Sequence, residues 1–256
     1  MHHFFITPSQ LNWENKAGHV TGPDLHHMVD VLRLQTGSKI SVSDGMGNRY
    51  TALVKEVEED QVTLSLLEKM STADAIKTLP ITLIQGVAKG SKMDWIVQKN
   101  TEMGISVIQP VTTQYTVVKF PSDQDAAKKQ DRWQKIAVEA SKQSKRSTIP
   151  TIKKPVSLET YIANTRFSEG RWLRLLAYEK ESGKPLKEII SPEALEQYDG
   201  IELWIGPEGG YSPKEIELAK EAGIQTIGLG PRILRTETAS IALLAVVLYE
   251  MGVLEA

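Results

Sequence analysis

Residues 201–215 read IELWIGPEGGYSPKE, and residues 224–239 read IQTIGLGPRILRTETA. Each is a short apolar run with a buried-strand pattern that empties into a turn rich in Gly and Pro. Glycine has no Cβ, so a ligand can lie close to the main chain of such a turn. The first turn leads into a helix with clear start chemistry: Ser212 as N-cap, Pro213 at the first helical position, and Glu215 closing a capping box. The second leads into an apolar helix, Ala239 to Met251, which Gly252 ends. In open α/β sheets small molecules bind at neighbouring strand ends of this kind. The pair predicts an α/β fold with a ligand site at these turns.

Working back from there, the same rhythm runs to Pro80. ITLIQGV (81–87), ISVIQPV (105–111) and WLRLLAY (172–178) have the composition of buried strands. Helices are predicted over Asp94–Met103, stopped by Gly104, and over Asp131–Lys145, with Trp133, Ile136, Ala137 and Ala140 on one face. Strands alternating with helices indicate a parallel sheet covered by helices. The first part of the chain differs. Runs at Lys39–Ser43, Tyr50–Val57 and Gln61–Leu67 are rich in Val, Ile, Thr and Leu and are separated by turn signals, with one helix over Asp24–Leu34. KMSTADAIKTLP (69–80) has the composition of a linker. The division expected is a β-rich module over 1–72, a linker over 73–80 and an α/β domain over 81–256.

The chain has 256 residues and no cysteine, which excludes disulfides, thiolate metal sites and thiol catalysis. Its start, MHHFFITPSQ, lacks the pattern of a signal peptide, and no run of apolar residues is long enough to span a bilayer. A cytoplasmic protein without a membrane partner is expected. The formal charge of −2 is unevenly spread: −3 over 1–72, +7 over 81–154 and −6 over 155–256. The basic middle could hold phosphates, or be a solvated helix face.

Common nucleotide signatures fail. No G-x-G-x-x-G opens a helix, and GVAKGSK (86–92) has the wrong spacing for a P-loop. The glycine turns alone are equally compatible with plain structural turns. All five histidines lie in the first 27 residues without the spacing of a metal site, so no metal is expected. In EASKQSKRSTIP (139–150), Gln143, Ser144, Lys145 and Arg146 fall where a helix ends. Cations there complement the helix dipole, or they offer donors to phosphates or base edges. His27 and Arg33 share a short helix that could be a polar contact surface. Arg232, Arg235, Glu237 and Thr238 crowd the last turn.

Together these segments resemble a known family. IGPEGGYSPKE and LGPRILRTETA are similar to the cofactor-binding signature of the bacterial 16S ribosomal RNA N3-uridine methyltransferases (small subunit methyltransferase E) of the SPOUT superfamily. HHMVDVLRLQTG (26–37), DWIVQKNTEMG (94–104) and EASKQSKRSTIP (139–150) agree, in order, over essentially the whole chain. The resemblance implies a PUA-like β-barrel that helps hold RNA, a C-terminal α/β domain with a deep trefoil knot, and a homodimer. It implies S-adenosylmethionine held by Ala177 and Tyr178, by Leu203, Ile205, Gly206, Pro207, Glu208, Gly209 and Gly210, and by Leu229, Gly230, Arg232, Ile233, Leu234 and Thr238. RNA contacts are expected at Arg33, Lys142, Gln143, Lys145 and Arg146, with 16S ribosomal RNA in a small-subunit particle as partner. Relatives commonly begin with an Arg near position 3, where this chain has His2-His3.

Methylating N3 of uridine requires loss of the imide proton and stabilisation of the resulting anion. Arg235, with Arg146, is expected to meet that charge, and Glu237 to accept the proton or orient Arg235. Two alternatives stay open: a related SPOUT enzyme acting on another base or a ribose 2′-OH, and a non-catalytic RNA-binding assembly factor.

Overall fold

The computed structural model describes residues 1–70, 79–165, 169–181 and 185–254. Most of the expected linker, 73–78, lies outside the described residues. The chain divides into two compact units, Met1–Lys77 with Ser141–Ile149, and Thr78–Ala140 with Pro150–Ala256.

The first unit carries a six-stranded sheet in the order β1-β4-β5-β6-β3-β2. Its strands are β1 (His3–Phe5), β2 (Leu11–Asn12), β3 (Ala17–Val20), β4 (Lys39–Ser43), β5 (Arg49–Val57) and β6 (Val62–Lys69). β1 pairs parallel with β4, and the other pairs are antiparallel. Alternate residues turn inward, as in β6, so Phe4, Val20, Ile40, Val42, Ala52, Val54, Leu64 and Leu66 meet in one core. Met28 joins them from a helix that starts as α1 (Pro23–His26) and continues as a π-helical turn over His27–Val31. Strands β4–β6 and this helix match the sequence reading. β1–β3 were not expected, because such short segments show too little periodicity to register.

Ser141–Ile149 packs in this unit through main-chain bonds. Gly47 N–H donates to Ser147 O at 3.2 Å and Ile149 N–H to Gly45 O at 3.3 Å. Lys142 Nζ pairs with Asp24 at 2.8 Å, and Arg49 donates to Lys145 O at 3.2 Å.

The second unit is built on a wholly parallel sheet, ordered β10-β8-β7-β12-β11-β13, with β9 beside β8. In chain order it comprises β7 (Ile81–Gly86), α2 (Lys92–Glu102), β8 (Val107–Thr112), α3 (Asp123–Gln143), β9 (Thr151–Ile152), β10 (Val156–Ser157), α4 (Leu158–Asn164), β11 (Trp172–Ala177), α5 (Leu186–Ile189), α6 (Pro192–Leu195), β12 (Gly200–Ile205), α7 (Pro213–Glu221), β13 (Gln225–Ile227) and α8 (Thr236–Glu250). The unit boundary falls within α3, after Ala140. β12 is buried along its whole length, as the central strand of a parallel sheet must be. One core face gathers Leu83, Ile96, Ile108, Leu203, Leu243 and Val247; the other gathers Ile84, Leu176, Trp204, Tyr211 and Ile216. On that second side Glu202 is buried against Arg174 at 3.4 Å, and Trp204 Nε1 donates to the same carboxylate at 3.1 Å. Burial holds the Glu202 carboxyl above the usual range despite Arg174. No helix among the described residues is long and apolar enough to cross a membrane.

Candidate cofactor-binding site

β12, β11 and β13 are neighbours in the sheet, and all three run in the same direction. Their C-terminal ends therefore open on one side, and there a cavity of about 660 Å³ lies. β11 contributes Ala177, Tyr178 and Glu179. β12 contributes Ile205 and the turn from Gly206 to Tyr211, and β13 contributes Gly228 to Arg235, followed by Thr236 and Ala239 of α8. The volume lies within the range of roughly 300–1,000 Å³ usual for small-ligand pockets.

Local chemistry fixes each wall. Ser212 accepts from Glu215 N–H, and the Glu215 carboxylate accepts from Ser212 N–H at 2.8 Å, so the expected capping box starts α7 and ends the first turn. Glu215 also accepts from Gln114 N–H at 2.8 Å. Gly210 at φ +67° and Gly230 at φ +94° take left-handed conformations that other residues adopt at a cost. At Gly86, which ends β7, a Cβ would come within 2.3 Å of Pro207, so only glycine lets that strand end meet the turn.

A buried polar seam ties the walls together. Gln85 Nε2 donates to Thr236 Oγ1 at 2.9 Å, and Thr236 Oγ1 donates to Gly206 O at 2.6 Å. One step along, Asn100 Nδ2 donates to Ser240 Oγ at 3.2 Å, and that hydroxyl donates to Glu237 O at 3.1 Å. These bonds join β7, α2, the first glycine turn and the start of α8. Gln85, Asn100 and Ser240 are fully buried.

Glu208 accepts from Lys92 Nζ at 2.8 Å and from Lys89 N–H at 3.2 Å. Burial alone would raise its pKa, but these donors outweigh it and hold the carboxyl below the usual range. The segment 86–92, which failed as a P-loop, thus has two local tasks: Gly86 packs on the turn and Lys92 grips it. Tyr211 is buried, which pushes its phenol well above the ordinary value. It is a wall, not an acid.

Of the residues expected to hold a cofactor, Ala177, Tyr178, Ile205, Gly206, Pro207, Glu208, Gly209, Gly210, Leu229, Gly230, Arg232, Ile233 and Leu234 line the cavity. Leu203 does not: it sits two residues short of the strand end, fully buried in the core. Thr238 is exposed on α8 and is not among the lining residues. Arg235 does line the cavity and is exposed, and its side chain makes no cap bond to α8. Glu237 is in the first turn of α8, with Oε2 buried and without a partner among the described residues. Arg146 and Arg33 belong to the first unit, as do Lys142, Gln143 and Lys145. Sequence reasoning missed Gln85, Lys92 and Glu179; Thr236 falls within the expected contact range 229–238. For Gln85 a signal exists: a lone amide inside an apolar strand must find a buried partner. Among the described residues no group of three or more His, Asp or Glu is placed to hold a metal ion.

Residues 76–248 match a family described as an RNA methyltransferase domain, and residues 20–67 match an RNA methyltransferase PUA domain. Fold and site together define the class: an RNA methyltransferase with a PUA-like first unit and an α/β second unit. The chain is 32% identical over 262 residues to the ribosomal RNA small subunit methyltransferase E of Bacillus subtilis, covering 99% of this chain and 98% of that one. Identity to the Synechocystis protein of the same name is 34%, over 88% of this chain and 71% of the relative. The crystal structure of the Neisseria gonorrhoeae ribosomal RNA small subunit methyltransferase E bound to S-adenosyl methionine superposes with a TM-score of 0.82 at 31% identity, covering 97% of each chain. A Legionella pneumophila structure, a putative methyltransferase in complex with the cofactor SAM, gives 0.81 at 28% identity over 96% of each. This chain belongs to the ribosomal RNA small subunit methyltransferase E family.

Proposed function

We propose that this protein methylates N3 of one uridine in the 16S RNA of the small ribosomal subunit, with S-adenosylmethionine as methyl donor. The single observation that carries the reading is the cavity at the ends of β11, β12 and β13, walled by two glycine turns. Its lining suits that cofactor: two glycine turns, 206–210 and 228–230, whose main chain a ligand can approach closely, and Ile205, Leu229 and Leu234 for a flat apolar ring. When bound, the cofactor supplies an electrophilic methyl group on a sulfonium. The family resemblance implies a trefoil knot, and we take the chain from β12 to α8 to form it.

The protein's own part is to hold a uracil and manage its proton. Arg235 lines the cavity and makes no cap bond to α8, which supports assigning it to stabilise negative charge on the uracil oxygens as N3 loses its proton. Glu237, with a carboxylate oxygen lacking a partner among the described residues, is the candidate to accept that proton or to orient Arg235. Arg146, buried in the first unit, is kept as a second candidate to meet that charge and as an RNA contact. Arg33, Lys142, Gln143 and Lys145 join it as RNA contacts.

We read residues 1–72 as an RNA-holding module, 73–80 as a linker and 81–256 as the methyltransferase, with 141–149 packed in the first unit. We further propose a homodimer: Val246 and Tyr249 on α8, with Leu254 beyond it, leave apolar surface exposed for a second copy to cover. The substrate would be a small-subunit particle in the cytoplasm, where ribosomes assemble. Mapping methylated nucleotides in ribosomal RNA from cells with and without the protein tests the reading. It expects one N3-methyluridine to vanish with the protein; an unchanged map would overturn it.

A further inference from the structure

Two carboxylates line the cavity, Glu179 and Glu208, beside three cations, Lys92, Arg232 and Arg235. Glu208 is committed, held by Lys92 Nζ and by the Lys89 N–H. Glu179 is not. Among the described residues its side chain makes no hydrogen bond or ion pair, although those cations share its cavity.

The turn that carries Glu179 is held in place. Residues 178–181 leave the end of β11, and Glu181 N–H donates to Tyr178 O at 3.1 Å, so Glu179 and Lys180 are the central pair of a tight turn. β13 pins both ends of it. Tyr178 N–H donates to Ile227 O at 2.9 Å, and Thr226 Oγ1 donates to the Glu181 carboxylate at 2.6 Å. A third constraint is steric: a Cβ at Gly228 would come within 2.8 Å of Glu181 O, so glycine there lets the second cavity turn close onto this one. Glu179 itself is exposed, and its Oε2 lies 3.9 Å from where a Cβ of Gly210 would stand. A turn from β11 thus brings an uncommitted carboxylate beside the first glycine turn, at the end of β12.

Hydration alone does not account for this arrangement. A glutamate at an exposed turn is solvated wherever it sits, and needs no turn tied to the neighbouring strand. Nor does the charge suit RNA, whose phosphates an acid repels. What it attracts is a compact cation. S-adenosylmethionine has two positive centres, the sulfonium and the α-ammonium of its amino-acid end. Only the ammonium has N–H donors to offer a carboxylate, and charge-assisted bonds of that kind are the strong ones.

We infer that Glu179 is the specificity-determining acid of the cavity and holds the α-ammonium of the cofactor. The inference rests on the reading that S-adenosylmethionine fills this cavity. It adds the side chain that tells the amino-acid end of that cofactor from adenosine compounds without one. Arg232 and Arg235 are of the wrong sign for this task, and Glu208 is already taken.

The test is calorimetry on the full-length protein and its Glu179→Gln variant with three probes. S-adenosylmethionine has both positive centres, S-adenosylhomocysteine has the ammonium alone, and methylthioadenosine has neither. Glutamine keeps the size of the side chain and removes its charge, so the melting temperature should not move. Affinity for S-adenosylmethionine and for S-adenosylhomocysteine should each fall by about tenfold, the usual loss for one hydrogen bond to a charged group. Methylthioadenosine should bind the variant as it binds wild type. Wild-type affinity of the variant for all three would overturn the inference and leave the cofactor reading intact. A loss confined to S-adenosylmethionine would overturn it as well, because the carboxylate would then answer the sulfonium. So would an equal loss for all three, since Glu179 would then shape the cavity rather than recognise the amino-acid end. A wild-type protein that binds none of the three would instead overturn the cofactor reading.

Discussion

The turns of the two units handle the left-handed backbone in opposite ways. In the second unit every described residue with positive φ is glycine, Gly210 and Gly230 of the cavity among them. In the first, glycines share that conformation with Lys16, Arg33 and Lys145. Where a ligand must meet main chain, a side chain would obstruct it. Where a cation follows a helix, as Lys145 follows α3, its charge complements the helix dipole, and the backbone tolerates the cost. The cavity turns are built for close approach to main chain, and the turns of the first unit for exposed charge.

The largest effect that can test the contrast is at Arg235, the one cation of the cavity turns given a chemical task. Arg235→Ala should keep the fold and most cofactor affinity while methyl transfer falls by about 10²–10³-fold, the usual loss for a preorganised charge-stabilising group. Single-turnover rates at saturating cofactor and RNA, beside thermal melts, measure it. A folded variant with near-normal turnover would remove Arg235 from the step.

A smaller effect is expected where the cavity turns are held rather than where they react. Thr236→Val removes the donor to Gly206 O and leaves Gln85 Nε2 without the hydroxyl it meets. Buried donors and acceptors left alone cost roughly 1–3 kcal/mol, so stability should drop and cofactor affinity with it. Thr236→Ser keeps the hydroxyl and should restore both. If serine fails where valine fails, the lost methyl group matters and the seam does not. Gly209 is a poorer probe than its place in the turn suggests, because a Cβ there would lie 2.6 Å from Tyr115 Cβ. Lost binding would then report a packing clash rather than a blocked ligand.

Much of this was legible in the sequence, and what was not has physical causes. The capping box at Ser212 and Glu215 and the stops at Gly104 and Gly252 are local chemistry, readable from neighbours along the chain. The buried strands β7, β8, β11 and β12 announce themselves as apolar runs. α3 starts at Asp123, earlier than Asp131, because DQDAAKKQ has too few apolar residues to show a period; its face appears only from Trp133. The packing of Ser141–Ile149 in the first unit is tertiary, and no local rule places it there. Charge summed along the chain was misleading for the same reason, since it assigned the cations of 142–146 to the wrong unit. The family resemblance supplied what spacing could not: cofactor, substrate and most of the cavity wall.

The smallest effect belongs to the first unit. Burial, with Arg49 and then Lys142 and Lys145 nearby, lowers the His3 pKa to about 4, although the Arg146 main chain pulls the other way. The folded state therefore prefers neutral His3, while the unfolded chain takes up a proton near 6.5. Stability from this residue is complete above about pH 6.5 and is lost as pH falls toward 4. The loss should be about 1–2 kcal/mol, less than the full shift would give, because the ring is partly exposed and solvent screens its neighbours. Denaturant melts of wild type and His3→Gln across that window should converge at low pH. Parallel curves would show that His3 does not feel the cation cluster.

The most direct test of the central claim is a nucleoside analysis. Small-subunit ribosomal RNA from cells lacking the protein is incubated with the purified protein and S-adenosylmethionine, digested, and resolved by mass spectrometry. The account predicts one new methylated nucleoside, a uridine carrying its methyl on N3, formed about 10²–10³-fold more slowly by Arg235→Ala. A methyl on ribose or on another base, or no transfer by a protein that binds both cofactor and RNA, would contradict it.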